Sequence, residues 1–217
     1  MKGLLLNQYY IVEKSVWSTV PLGLLLATVL LFFDNLIAQR LAALLPIIFM
    51  ASTALEVLKH ESISGWDKYV LTLPVKRNRI VQSHYLFFAV LTLVGLLIIC
   101  IAFMLVQYVF GQTPSAGYVY SVMNVLGLMF TMGFVAYPMT YLLGTEKAEK
   151  VAMVSTAAGL GAIFLSSFVY QLLIVPLDVL QGLNHDLLFS LSFMIITFIL
   201  FIISYAISIQ IYKRKEV

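Results

Sequence analysis

A long stretch without formal charge most constrains how this chain can fold. From Ile80 to Thr145 the sequence contains no Asp, Glu, Lys or Arg. Of the 217 residues, 62% are hydrophobic and 11% are charged, whereas soluble domains average about 45–50% and about 25%. So few charged side chains cannot cover a water-facing surface. The composition therefore excludes a soluble enzyme, a nucleic-acid-binding protein and a disordered protein, and it places the chain in a lipid bilayer.

Continuous apolar runs predict six membrane-spanning helices. A hydrocarbon core about 30 Å thick requires roughly 20 apolar residues in helical form, and the runs lack the alternation that is typical of barrel strands. A segment rich in Gly, Pro and Ser, at about 111–117, divides the uncharged stretch into two spans. We therefore predict an all-α, polytopic, single-domain membrane protein with spans at about 15–33, 41–58, 81–110, 118–143, 151–175 and 187–212.

The first fourteen residues mix apolar and polar side chains ahead of the first span. Leu4 and Ile11 are interspersed with polar residues, and Tyr9 and Tyr10 lie between them. This pattern predicts a helix in the interface plane, with its tyrosines at the level of the lipid headgroups. The alternative is a frayed tail that continues into the first span.

The distribution of Lys and Arg predicts the topology. Segments 1–14, 59–80, 144–150 and 213–217 hold twelve of the thirteen basic residues, and Arg40 alone lies in the other set of connections. Cytoplasmic loops carry the excess of Lys and Arg. We therefore expect a multi-pass membrane protein with both termini in the cytoplasm.

Few residues in the spans could support chemistry. Ionisable groups inside a bilayer are costly and are usually functional, yet the spans hold almost none. Glu56, one turn from the end of the second span, is a candidate gating residue, and His84 is interpreted as an interfacial histidine. Cys100 has no second cysteine to pair with, and His185 with Asp186 lacks further ligands for a metal. The sequence shows no metalloprotease, serine-hydrolase or phosphate-loop motif, so we expect no catalytic, cofactor or metal site in this chain.

The loop between the second and third spans, residues 59–80, has the clearest local signals. Ser64 followed three residues later by Asp67 is typical of a helix start. Pro74 prevents a helix from continuing through the residue before it. The sequence therefore predicts a helix of about two turns, from about Gly65 to Thr72.

That helix would carry an apolar stripe. Helical spacing places Trp66, Val70 and Leu73 on one side, and Ile63 leads into them. A short amphipathic helix with a Trp can lie on the lipid surface or dock into a groove on a partner protein. The spacing alone favours neither interpretation.

A basic run directly precedes the third span. It consists of Lys76, Arg77 and Arg79, which are interrupted only by Asn78. Such a run is typical of an anchor that binds anionic lipid headgroups.

Small residues recur on one face of the fifth span. Small side chains allow helix backbones to approach closely in lipid, so this face is predicted to pack against another helix. The spacing does not decide whether that helix belongs to the same chain or to a second subunit. The residues are Ala152, Ser155, Gly159, Ala162 and Ser166.

Three segments carry a resemblance to a known family: residues 1–6, residues 61–81 with the run Trp66 to Arg77, and residues 83–86. They resemble a bacterial family of small ABC-2-type transporter permeases, which includes the permease subunits of the staphylococcal phenol-soluble modulin exporter. Two positions depart from the pattern. Lys76 stands where a small polar residue is expected, and His84 stands where Lys is more usual.

The resemblance implies a membrane subunit that pairs with a second permease, as a homo- or heterodimer, and with cytosolic ABC ATPase subunits that bind ATP and magnesium. It implies export of amphipathic peptides, including cytolytic or antimicrobial ones, with self-protection of the cell. The alternative function is a non-transport membrane scaffold or sensor subunit. The resemblance also implies that the loop after the second span is the coupling helix, which docks into a cleft of the ATPase. The residues that would make this contact are Ile63, Trp66, Asp67, Lys68, Tyr69, Val70, Leu73 and Pro74.

Overall fold

The computed structural model of the protein describes residues 2–33, 35–111, 116–174 and 184–214. Within these ranges the regular structure is entirely helical, and six helices are long and apolar enough to cross a membrane. This confirms the predicted fold class. The predicted connections 111–117 and 176–186, the end of the fifth predicted span and the residues after Arg214 lie partly or wholly outside the described ranges. The α-helices are α1 (Lys2–Phe32), α2 (Leu36–Ser64), α3 (Trp66–Tyr69), α4 (Arg77–Val109), α5 (Ala116–Leu143), α6 (Ala148–Leu173) and α7 (His185–Arg214).

The first helix differs from the sequence prediction. Residues 2–14 are helical, but they continue into the first span without a break, as α1. Gln8 and Val12 are buried, and the Gln8 Nε2 donates a hydrogen bond to the Ser83 Oγ on α4 at 3.1 Å. Packing against the bundle therefore holds this segment in line with the span, which corrects the prediction of a separate interfacial helix.

The second helix lies at the centre of the bundle and contacts α1, α4, α5 and α6. Its crossing with α4 depends on Gly95, where an added Cβ would lie 3.0 Å from the Ile47 Cα. On the other side of the bundle α5 packs along α7, and a Cβ on Gly133 would lie 2.6 Å from the Phe201 ring. Glycine at both positions permits the close approach of helices that stabilises a bundle in lipid.

The outer helices present apolar side chains to their surroundings. On α6, Phe164, Leu165 and Phe168 are each more than 60% exposed. α1 carries Trp17 and Leu25 in similarly exposed positions. A continuous apolar exterior of this kind is what a bilayer requires, and it leaves faces of α1 and α6 open to lipid or to another subunit.

One end of the bundle gathers nearly all of the described basic residues. The starts of α4 and α6 and the ends of α2, α5 and α7 meet there: Lys59 Nζ lies 2.9 Å from Glu149 Oε2, and Arg77 donates to the backbone carbonyl of Lys213 at 3.0 Å. Among the described residues, only Arg40 lies at the opposite end. We call this end the basic end; its residues are Lys2, Lys14, Lys59, Lys68, Lys76, Arg77, Arg79, Lys147, Lys150, Lys213 and Arg214.

Candidate functional site at the basic end

The loop between α2 and α4 is shorter and more tightly turned than its sequence suggests. Gly65 has a left-handed φ of 71° and ends α2, with its N–H donating to the Ser62 carbonyl at 3.2 Å. Ser64 is therefore the last residue of α2, and the prediction that it starts the next helix is wrong. The segment that follows is the single turn α3, continued by a 3-10 turn over Val70–Thr72.

The loop has an inner and an outer face. Val70 is 2% exposed, and Trp66 and Leu73 are half-buried against the core. The predicted stripe thus faces the chain's own bundle. The side chains that point away are Ile63, 73% exposed, and Tyr69, 56% exposed, with Lys68 also exposed. We call Ile63, Lys68 and Tyr69 the outer face.

Asp67 ties the loop to the connection between α5 and α6. Its Oδ2 accepts a hydrogen bond of 2.6 Å from the Thr145 hydroxyl, and its Oδ1 accepts one of 2.9 Å from the Lys68 N–H. Thr145 begins the short 3-10 turn that precedes α6. The bond joins segments far apart in sequence and links the loop to the residues that precede α6.

A buried polar network lies directly above the loop. Glu61 on α2 and His84 on α4 are each 5% exposed in their side chains, and Oε2 of Glu61 lies 2.9 Å from Nε2 of His84. The other ring nitrogen of His84 lies 2.9 Å from the Tyr141 hydroxyl of α5, and Tyr137 donates to the His84 carbonyl at 3.2 Å. The network joins α2, α4 and α5 at the point where the loop leaves the bundle.

The sequence pattern does not reveal this network, because it indicates an interfacial position for His84 and no role for Glu61. A usable signal exists, because a short loop makes α2 and α4 antiparallel neighbours, and each then carries an ionisable residue within two turns of that loop. The third member, Tyr141, comes from a helix whose position only the tertiary structure supplies.

Glu56 lies on a different side of α2. It accepts a hydrogen bond from the Ser15 hydroxyl of α1 at 3.0 Å, and His60 lies 3.3 Å away. It also lines a cavity of about 300 Å³ between α2, α5 and α6, beside Lys59 and Glu149. Its gating role stays a prediction.

The small-residue face of α6 packs within the chain along the part nearest the basic end. Ser155 and Gly159 are buried, and a Cβ on Gly159 would lie 3.1 Å from the Met132 Cγ and 3.3 Å from the Leu128 carbonyl oxygen of α5. The partner helix at Gly159 is therefore α5 of the same subunit. Ala152, Ala162 and Ser166 are only partly buried.

This contact gives a direct test with a matched control two residues away. We expect Gly159→Leu to lower the free energy of unfolding by about 1–3 kcal/mol because the new side chain overpacks the contact with α5. Gly161→Leu makes the same chemical change in the same helix, where an added Cβ would meet no atom within 4 Å. Thermal unfolding of the two variants in detergent measures the difference, and equal stabilities would contradict the packing.

The described residues contain no group of three or more His, Cys, Asp or Glu side chains placed to hold a metal ion. What the basic end contains instead is a short loop that is linked to several helices. A model of the ABC-2 family transporter proteins matches residues 3–213. The chain belongs to the ABC-2 transporter family. Comparison with curated proteins and with solved structures gives no match.

As an ABC-2 permease, the chain is a membrane subunit of an ABC transporter and associates with ABC ATPases. Subunits of this family are generally non-catalytic. The Asp67 side chain links the loop to Thr145 ahead of α6, and the Glu61–His84–Tyr141 network links α2, α4 and α5.

Proposed function

We propose that this ABC-2 permease is the transmembrane subunit of an exporter of amphipathic peptides, and that residues 59–80 form its coupling loop. The observation that carries the proposal is the outer face. Large apolar side chains exposed on a loop outside the spans are typical of a contact surface for another protein. Tyr69 is the central anchor of that contact, because exposed aromatic residues dominate the energetics of many interfaces.

The anchor in this proposal is Tyr69 and not Trp66, which the resemblance also includes among the docking residues. Trp66 is half-buried against its own subunit, so it positions the loop, whereas Tyr69 reaches outward. The two rings lie 5.6 Å apart between centroids. The Trp66 ring packs between the Tyr69 ring and the core, so a movement of Tyr69 would be transmitted through Trp66 to the core.

Three connections would transmit the movement of the ATPase to the spans. Val70 is inserted into the core, Asp67 bonds to Thr145 ahead of α6, and Glu61 at the end of α2 bonds to His84. Together they link the loop to α2, α4, α5 and α6. Closure of the ATPase on nucleotide would then move several helices at once.

The distribution of basic residues supports a bacterial plasma-membrane protein with the basic end in the cytoplasm. We expect a cysteine in place of Ser62 to be protected from an impermeant thiol reagent on intact cells, and a cysteine in place of Asn184 to react. Both variants carry Cys100→Ala. Labelling of the Ser62 position from outside would reverse the topology.

The peptide cargo is supported by the resemblance of the coupling loop to peptide-exporter permeases. The exposed apolar faces of α1 and α6 support association with a second permease subunit, identical or different. In this function, export of amphipathic peptides protects the cell that makes them.

Removal of the gene tests the cargo. Cells without the permease should retain an amphipathic helical peptide that the parent strain exports, and they should become more sensitive to it. A peptide of the same composition in scrambled order is the matched control. Unchanged retention and sensitivity would contradict export and would favour a scaffold or sensor subunit.

A further inference from the structure

A second cavity lies at the basic end, on the inner side of the coupling loop. It has a volume of about 490 Å³ and lies between the start of α1, the loop and the start of α4. It is separate from the cavity beside Glu56 and from the outer face. The side chains that matter for its chemistry are Leu4, Trp66, Leu73, Val75, Lys76 and Arg79.

The lining combines an apolar wall with two cations. Leu4, Trp66 and Leu73 form the apolar part, and Lys76 and Arg79 lie at its rim with exposed side chains. Among the described residues, no acidic side chain lines this cavity, and neither cation has an ion-pair partner. Lys59, by contrast, is already paired with Glu149. The cavity therefore suits a molecule with an anionic group next to an apolar one.

The position of the cavity relative to the bilayer narrows the class of molecule that it can bind. Arg79 is followed directly by Ile80, the first residue of the long uncharged stretch that enters the membrane as α4. A basic residue at this place lies at the level of the lipid headgroups. Trp66 beside it is a residue type enriched at the same level.

We propose that this cavity binds an anionic phospholipid. The phosphodiester would lie between Lys76 and Arg79, and the part of an acyl chain next to the headgroup would lie against Leu4, Trp66 and Leu73. Arg is suited to phosphate because its planar guanidinium can donate two parallel hydrogen bonds. The bound lipid would contact both the start of α1 and the coupling loop. Anionic lipid would therefore brace the inner face of the loop, while its outer face stays free for a protein contact.

The experiment measures lipid binding to the purified full chain in neutral detergent by native mass spectrometry. Phosphatidylglycerol is compared with phosphatidylcholine of the same acyl chains. The test variant is Lys76→Gln/Arg79→Gln. The matched control is Lys147→Gln/Lys150→Gln, which removes the same charge at the same end from two exposed lysines that do not line the cavity.

Each basic residue next to an anionic lipid contributes a factor of about five to its binding. We therefore expect the test variant to bind phosphatidylglycerol about 25-fold more weakly, and the control to bind it as the wild type does. Binding should be retained in Lys76→Arg/Arg79→Lys, which keeps both charges. This variant, together with the melting temperatures of all the variants, distinguishes loss of the lipid site from loss of the fold.

Three results would overturn the proposal. One is equal weakening in the test and control variants, which would indicate attraction by overall charge. Another is equal binding of phosphatidylglycerol and phosphatidylcholine. The third is displacement of the lipid by millimolar inorganic phosphate or glycerophosphoglycerol, which would show that the cavity recognises the anion alone.

Discussion

Replacement of His84 with Leu should lower the free energy of unfolding by about 3–5 kcal/mol, the largest stability effect that we expect from a single change at the basic end. His84 is the hydrogen-bonding partner of Glu61, and both side chains are buried. Removal of one member of a buried ionisable pair leaves the other without a partner in a medium of low polarity, which is strongly destabilising. Thermal unfolding of the full chain in detergent measures the effect.

His60→Leu is the matched control. His60 also contacts a glutamate, Glu56, at 3.3 Å, but both side chains are substantially exposed, so its loss should cost less than about 1 kcal/mol. The double variant Glu61→Leu/His84→Leu should recover much of the stability because no buried group is then left unpaired. Equal losses in His84→Leu and His60→Leu would contradict the buried network.

Replacement of Tyr69 with Ala should uncouple the permease from its ATPase while leaving membrane insertion intact. Truncation of an aromatic anchor at an interface typically costs at least about 2 kcal/mol, which corresponds to about 30-fold weaker association. The change removes no buried side chain, because Tyr69 is 56% exposed. The affinity of the purified permease for its ATPase is the quantity to measure.

Tyr108→Ala provides the control for this prediction. Tyr108 is also exposed, at 79%, and it lies at the far end of α4 from the loop. Its truncation should leave the affinity for the ATPase unchanged. If Tyr69→Ala binds the ATPase as tightly as Tyr108→Ala does, the outer face is not the docking surface.

The six spans could be predicted because the bilayer imposes a simple rule on composition. A helix that crosses lipid needs about 20 apolar residues, and its ends are marked by the first charged side chains. Each predicted span lies largely within one helix of the structure. The first helix begins earlier than predicted because Gln8 and Val12 pack against the bundle, and hydropathy does not report such contacts.

Helical spacing correctly grouped Trp66, Val70 and Leu73 on one face of the coupling loop, but it could not predict that this face packs against the chain's own bundle. Residues 66–72 are helical, as predicted, but α2 extends to Ser64 and the left-handed Gly65 changes the direction of the chain between the two helices. Val70 then lies in the core and Tyr69 outside it. The contacts of Glu61 with His84 and of Gly159 with α5 depend on which helices are neighbours, and a single sequence does not state this.

ATP-dependent uptake of an amphipathic peptide into inside-out vesicles that contain the assembled complex tests the central claim most directly. The account predicts accumulation in the lumen with the wild-type permease, none without ATP, and a loss of most of the uptake with Tyr69→Ala but not with Tyr108→Ala. Uptake that does not require ATP, or wild-type uptake by Tyr69→Ala, would contradict the account that this permease exports peptides through a coupling loop anchored by Tyr69.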